Sequence, residues 1–222
     1  MTIRVKICGI TTPEDARLAA ELGASAIGMV MWPKSPRYVD PARARAIVDA
    51  LPPFVSAVGV FVNQHDAGSL AEQAGLTMLQ LHGDEPATAY RDCALPVIKA
   101  VPVRDRSALD AADAVPARAT VLLDAHDPEK RGGTGRRIDW AVAAEIAARR
   151  PVILSGGLNA ANVSDAIATV RPFAIDVSSG VEWSPGRKDP AKLRALFDML
   201  RDSSLTPFGI QHSSFGIDHE HQ

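Results

Sequence analysis

Along nearly the whole chain, short runs of β-branched and other apolar residues alternate with alanine-rich stretches whose apolar positions recur every three to four residues. The first pattern is that of a buried strand, the second that of an amphipathic helix. Strands are expected at 3–8, 25–31, 55–62, 77–82, 95–101, 119–124, 151–155 and 172–178. Helices are expected near 13–22, 41–50, 66–74, 86–92, 106–113, 139–149, 160–169 and 190–201. A strand followed by a helix, eight times over, calls for parallel pairing, because parallel neighbours need long crossover connections. The economical form for eight such units is a closed (β/α)8 TIM barrel in a single α/β domain, with an open doubly wound sheet as the competitor. The barrel domain is expected to occupy residues 1–202, and 203–222 to form a short C-terminal extension of unknown role.

Helix ends agree with this partition. Thr12-Pro13-Glu14-Asp15 offers an N-cap, a proline at the first helical position and acids that suit the helix dipole. Gly23 and Gly75 fall where left-handed C-caps are expected. Strand parity adds a second layer of information. In the first strand Ile3, Val5 and Ile7 share one face, and Arg4, Lys6 and Cys8 the other. With the apolar face against the helices, a polar column runs up the barrel interior and ends at Cys8. In the last strand Phe173, Ile175 and Val177 face out, while Ala174, Asp176 and Ser178 face in.

Composition narrows the class. The 222 residues, 46% hydrophobic and 23% charged, suit one soluble domain. A formal net charge of −2 without a basic stripe excludes nucleic acid as an expected partner. No apolar run approaches the length of a membrane span, so a membrane is not an expected partner either. Met1-Thr2-Ile3-Arg4-Val5-Lys6 places charges where a secretory signal needs an apolar block. With Cys8 and Cys93 as the two cysteines, no disulfide framework is expected, and a reducing cytoplasm fits.

In such a barrel the active site is built at the C-terminal ends of the strands. Candidates there are Cys8, the run Pro33 to Arg37, Asn63, His82, Asp124, Ser155-Gly156-Gly157 and Ser178-Ser179-Gly180. The glycine loops carry the strongest physical signal. Gly156-Gly157 precedes a helix expected from near Asn159, and Ser179-Gly180 lies in the neighbouring loop, so small residues and backbone amides converge where this fold binds phosphate. Asp124 ends an apolar strand ahead of the glycine-rich Gly132-Gly133-Thr134-Gly135. Its carboxyl suits a general acid, and equally a helix cap or a salt-bridge partner. Cys8 is either an inert packing residue or a thiol whose ionised form Lys6, on the same face, favours. Asp176 is the natural partner for an interior Lys6, and that pair is structural or catalytic on this evidence alone. Cys93, at the expected end of a helix, is assigned no role.

A metal site is not expected. Metal-dependent barrels of this kind gather His and acidic ligands on neighbouring strand ends. Here those ends read Met31-Trp32 and Val62-Asn63, and His82 stands alone as a residue that packs or orients a substrate. His126 and Asp127, after Asp124, read as solvated. The tail holds three of the six histidines (His212, His219, His221) and a doubled Phe-Gly-Ile, and reads as a terminal extension rather than a metal site.

Taken together, the chain resembles the phosphoribosylanthranilate isomerase family. The matching stretches are Val5 to Thr11, Ser35-Pro36-Arg37, Gln80 to Glu85, Leu123-Asp124 with the Gly132 to Gly135 loop, Leu154 to Leu158, and Asp176 to Glu182. They occur in the family's order across residues 3 to about 200; the tail matches nothing in it. The resemblance implies a cofactor-free Amadori rearrangement of a phosphosugar in tryptophan biosynthesis. In it Cys8 is the general base, Asp124 the general acid, and Arg37 the clamp on the anthranilate carboxylate. The loops at Gly156-Gly157 and Ser179-Gly180 hold the phosphate, and His82 and Asp176 join the substrate-binding set. A monomer or homodimer is expected. The related isomerase of histidine biosynthesis calls for a carboxylate where Cys8 stands. Thiamine phosphate synthase-like and epimerase barrels call for metal ligands, and a non-catalytic phosphosugar-binding barrel has no need of Cys8 and Asp124.

Overall fold

The computed structural model describes residues 3–86, 94–125 and 138–205. In chain order it runs β1 (Arg4–Cys8), α1 (Pro13–Leu22), β2 (Ala26–Val30), α2 (Pro41–Asp49), β3 (Ser56–Phe61), α3 (Ala67–Ala74), β4 (Met78–Leu81) and β5 (Val97–Val103). It continues with α4 (Ser107–Asp113), β6 (Thr120–Ala125), α5 (Trp140–Ala147), β7 (Val152–Leu154), α6 (Val163–Val170), β8 (Ala174–Val177) and α7 (Pro190–Leu205). The expected helix at 86–92 lies, but for its first residue, outside the described residues, as do Cys93, His126, Asp127, the Gly132 to Gly135 loop and the tail histidines.

Strands β1 to β8 pair in sequence order, and β8 pairs with β1 to close a parallel barrel. The eight expected strands are all present, each shifted by a few residues at most. Capping follows the residue types. Thr12 Oγ1 accepts the Asp15 amide at 3.2 Å, Asp40 Oδ1 the Arg43 amide at 2.8 Å, and Asp139 Oδ1 the Ala141 amide at 2.8 Å. Gly23 and Gly75 take left-handed C-cap conformations.

Two apolar regions hold the barrel. The larger lies between sheet and helices and includes Val5, Ile7, Ile27, Leu81, Leu123, Ile146 and Leu193. Each such side chain contributes about 1.5–3 kcal/mol when fully buried. The smaller one plugs the interior with Val58, Ile98, Ala100, Leu122, Ile153 and Ala174. One step further along the same inward faces come Gln80, Asp124 and Asp176, all buried. Strand parity therefore stacks a polar storey on an apolar floor.

The polar storey is tied at the closure seam. Lys6 and Asp176 are register partners across β1 and β8, and Lys6 Nζ donates to Asp176 Oδ1 at 2.9 Å. Both side chains are buried. Gly28 of β2, the register partner of Cys8, gives them room: a Cβ there would lie 2.9 Å from both Cys8 Sγ and Lys6 Nζ.

Two features differ from the sequence reading. α6 begins at Val163 rather than near Asn159: residues 159–162 form a turn in which the Asn162 and Val163 amides donate to the Asn159 carbonyl, and Asn162 at the N-cap spends its side chain on the preceding loop. Between β8 and α7 the chain forms a 3-10 turn (Ser179–Val181) and an antiparallel hairpin of β9 (Glu182–Ser184) and β10 (Arg187–Lys188), where no elements were expected.

A buried pair is costly to break and inexpensive to replace whole. Asp176→Ala is expected to lose about 3–5 kcal/mol in urea unfolding, since it strands the Lys6 ammonium. Lys6→Met combined with Asp176→Leu should recover most of that loss. Equal loss in the single and double variants would show that the charges themselves are not the issue.

Candidate active site

Cys8 ends β1 inside the barrel, 8% exposed, with Lys6 and Asp176 beneath it. Burial works against the Lys6 charge, but Asp176, with Cys8 adding to it, holds the ammonium above the ordinary lysine value. The thiol goes the other way from expectation. Burial pushes Cys8 up, and the Asp176 carboxylate adds to that; Lys6 and Lys188 pull down without overcoming it. Lys6 does favour the thiolate, as the sequence reading has it, but burial is the larger effect and sets the net direction. At neutral pH the unliganded site holds a thiol.

Asp124 is the penultimate residue of β6, on the same inward face and 6% exposed. His82, just past β4, presents Nε2 to Asp124 Oδ2 at 3.1 Å, and its Nδ1 lies 2.9 Å from the Gln80 amide nitrogen. Both ring nitrogens thus have protein partners, so His82 acts on Asp124 rather than standing alone. Asn63 after β3 is a loop tie: its Oδ1 accepts the Asp84 amide at 2.9 Å.

Arg37 follows β2, and its guanidinium is already half engaged. Nε and Nη2 donate to Glu182 Oε1 and Oε2 at 2.9 and 2.6 Å, the two-pronged geometry that suits arginine. This leaves the Nη1 corner for a ligand. Lys188 completes the group, donating to Glu182 Oε1 at 3.0 Å and to the carbonyls of Cys8 and Ser178 at 2.6 and 3.2 Å. The Lys188 ammonium thereby ties the ends of β1 and β8 to the hairpin. Burial would raise the Glu182 carboxyl, but Arg37 and Lys188 hold it below the usual carboxylate range. Lys188 itself sits below the lysine range, because burial and nearby Arg37 outweigh its share of Glu182. Glu182 and Lys188 were not picked out as site residues from the sequence. The signal available was a Glu and a Lys six residues apart, flanking Pro185-Gly186 just past a strand end.

Gly156 and Gly157 follow β7 with φ of 94° and 66°. Asn162 closes this loop, accepting the Asn159 amide at 2.9 Å and donating to the Gly157 carbonyl at 2.9 Å. Gly180 packs so closely on the Leu158 carbonyl that any Cβ would collide with it, which brings the loops after β7 and β8 into contact. The opening amides of the 3-10 turn at Ser179 and Gly180 are not used inside the turn. Small residues on two touching loops form a cradle whose make-up suits an anion. Asp176 lies below this cradle, committed through Oδ1 to Lys6. Among the described residues no group of three or more His, Cys, Asp and Glu side chains is placed to hold a metal ion, and no helix is long and apolar enough to cross a membrane.

A closed parallel barrel with a buried thiol, a buried carboxyl and two touching small-residue loops around one mouth has the make-up of a (β/α)8-barrel enzyme. A family model described as N-(5'phosphoribosyl)anthranilate (PRA) isomerase matches residues 5–199. N-(5'-phosphoribosyl)anthranilate isomerase of Geobacter sulfurreducens is 48% identical over 198 residues, covering 86% of this chain and 95% of the relative. The crystal structure of phosphoribosyl anthranilate isomerase from Thermotoga maritima superposes with a TM-score of 0.83 at 43% identity, covering 90% of this chain and 99% of that one. A structure of phosphoribosyl anthranilate isomerase in complex with reduced 1-(o-carboxyphenylamino)-1-deoxyribulose 5-phosphate gives 0.80 at 42% identity, with coverage of 90% and 99%. The chain belongs to the phosphoribosylanthranilate isomerase family, aldose–ketose isomerases of tryptophan biosynthesis.

The raised thiol has a direct readout. The ultraviolet thiolate absorbance of the protein minus that of Cys8→Ser is expected to titrate with a midpoint above the ordinary thiol value of about 8.5. Lys6→Met should move it higher still, since a charge that favours thiolate is removed while Asp176 remains. A midpoint below the ordinary value would contradict the dominance of burial.

Proposed function

We propose that Cys8 and Asp124 carry the family's reaction in this chain. The reaction converts N-(5-phosphoribosyl)anthranilate to 1-(2-carboxyphenylamino)-1-deoxyribulose 5-phosphate. The observation that supports this most is the order around the barrel: β6, β7, β8, β1. A phosphate held by the loops after β7 and β8 has Asp124 on one flank and Cys8 on the other.

Asp124 gives its proton to the ribose ring oxygen. The C1–O bond breaks onto that oxygen as the nitrogen lone pair forms a C1=N iminium. The Cys8 thiolate then takes the C2 proton, the C2–H electrons form C1=C2, and the iminium electrons return to nitrogen. The resulting enolamine loses its C2 hydroxyl proton and gains one at C1 to give the ketone. A thiol raised by burial needs help to ionise, and the iminium supplies it: the cation beside Cys8 favours loss of the thiol proton to solvent before the thiolate takes the C2 proton. Arg37 offers Nη1 to the anthranilate carboxylate, with Glu182 fixing the guanidinium plane. No step calls for a cofactor.

All the residues named come from one chain, so a monomer or a homodimer serves equally, and a biosynthetic role of this kind belongs in the cytoplasm. The segment 203–222 is proposed as an extension outside the catalytic unit, although α7 carries its first residues to Leu205.

Cys8→Ala and Asp124→Asn are each expected to lose on the order of 10²–10⁴ in kcat, the range for positioned proton transfer. Both should still bind the reduced product analogue, because the phosphate and carboxylate contacts remain. Near wild-type kcat in Cys8→Ala with chemistry rate-limiting would refute the assignment.

A further inference from the structure

The geometry points to Gln80 and His82 as a positioning pair that places the transferable proton of Asp124 on Oδ1. The inference rests on the reading of Asp124 as the general acid. Gln80 lies on β4, 1% exposed, and its amide nitrogen is 2.9 Å from His82 Nδ1. An amide N–H donating to Nδ1 makes that nitrogen an acceptor, so the ring proton of the neutral imidazole belongs on Nε2. Nε2–H then donates to Asp124 Oδ2 at 3.1 Å. An oxygen that accepts this bond is a poor place for a second proton. The carboxyl proton of Asp124 therefore sits on Oδ1, which receives no hydrogen bond among the described residues.

The pair also answers a question of proton direction. When Asp124 delivers its proton, the carboxylate left behind is stabilised by an Nε2–H already aimed at it, with no reorganisation at that moment. With the opposite tautomer, Nε2 would present a lone pair to the new carboxylate and oppose the transfer. The cost of this arrangement is visible, because Gln80 Oε1 is buried without a hydrogen-bond partner. A methionine or leucine would fill the same space with no orphaned oxygen. The amide is accounted for by what its nitrogen does to His82.

The ring is well anchored for this duty. The His82 amide donates to the Phe61 carbonyl at 2.8 Å, which holds the residue to the end of β3. The charged groups on the same side are Lys99 of β5, which donates to the Gly83 carbonyl at 2.6 Å, and Glu85, 3.8 Å from Lys99. Neither is a hydrogen-bond partner of the His82 ring among the described residues.

The test uses NMR of isotope-labelled imidazole nitrogens in the whole protein, with the His82 signals assigned by their loss in His82→Gln. The wild type is expected to show a neutral ring protonated at Nε2, and Gln80→Met a mixture of tautomers. Under chemistry-limited conditions Gln80→Met should lose about tenfold to a hundredfold in kcat, the range for removing an outer partner that orients a reacting group. Its KM should stay within about twofold, as no substrate contact is lost. His82→Gln can place an amide N–H near the Nε2 position and should retain more kcat than His82→Ala. A wild-type ring protonated at Nδ1 overturns the inference, as does a folded Gln80→Met with unchanged kcat and an unchanged imidazole spectrum. Full kcat in Asp124→Asn instead removes the reading of Asp124 as the acid, and is distinguishable because Gln80→Met would still alter the imidazole spectrum.

Discussion

The buried ion pair between Lys6 and Asp176 joins the first strand of the barrel to the last, and the mouth above depends on it. It ties across the seam where the sheet closes, between residues 170 positions apart in sequence. It puts a cation under the thiol and a carboxylate beside that cation. Lys6 pulls the thiol down, but burial, with Asp176 adding to it, outweighs that pull. Gly28 is part of the same constraint, since a side chain on β2 at that level would displace both the lysine and the cysteine.

Around that seam the mouth divides its work among elements of different rigidity. The proposed proton-transfer groups stand on strands, β1 for Cys8 and β6 for Asp124, where register fixes their height. The loops after β7 and β8, proposed to hold the phosphate, are locked together by Gly180 on Leu158 and closed by Asn162. The side proposed to meet the anthranilate carboxylate is a salt-bridged group, Arg37–Glu182–Lys188, in which Lys188 also reaches back to the carbonyls of Cys8 and Ser178. A shift in the hairpin would thus be felt at Cys8.

Much of this was legible in the residue pattern because it depends on short-range rules. Period-two alternation in Ile3 to Cys8 was enough to put Lys6 and Cys8 inside, and the same rule on β8 identified Asp176 as the partner of Lys6. The caps at Thr12, Gly23 and Gly75 follow from side-chain chemistry within a few residues. What escaped was set by many bodies at once. The direction of the Cys8 shift is a balance of burial and a carboxylate against two lysines, the charged groups drawn from three strands. The Glu182–Arg37 pair spans 145 positions, and nothing local to either residue announces it. The turn over 159–162 that precedes α6, with Asn162 bonded to the Gly157 carbonyl, exists only once the loop is folded. His82 looked solitary because its partners, Gln80 and Asp124, carry no metal-site or triad spacing.

The central claim is that Cys8 removes the C2 proton of a ring-opened substrate, and a single-turnover isotope measurement addresses it most directly. With substrate deuterated at C2, the wild type should turn over more slowly than with ordinary substrate, and the slowing should persist in Cys8→Ser on top of a much lower rate. An undiminished rate with deuterated substrate in Cys8→Ser, together with a wild-type rate for that variant on ordinary substrate, would contradict the account.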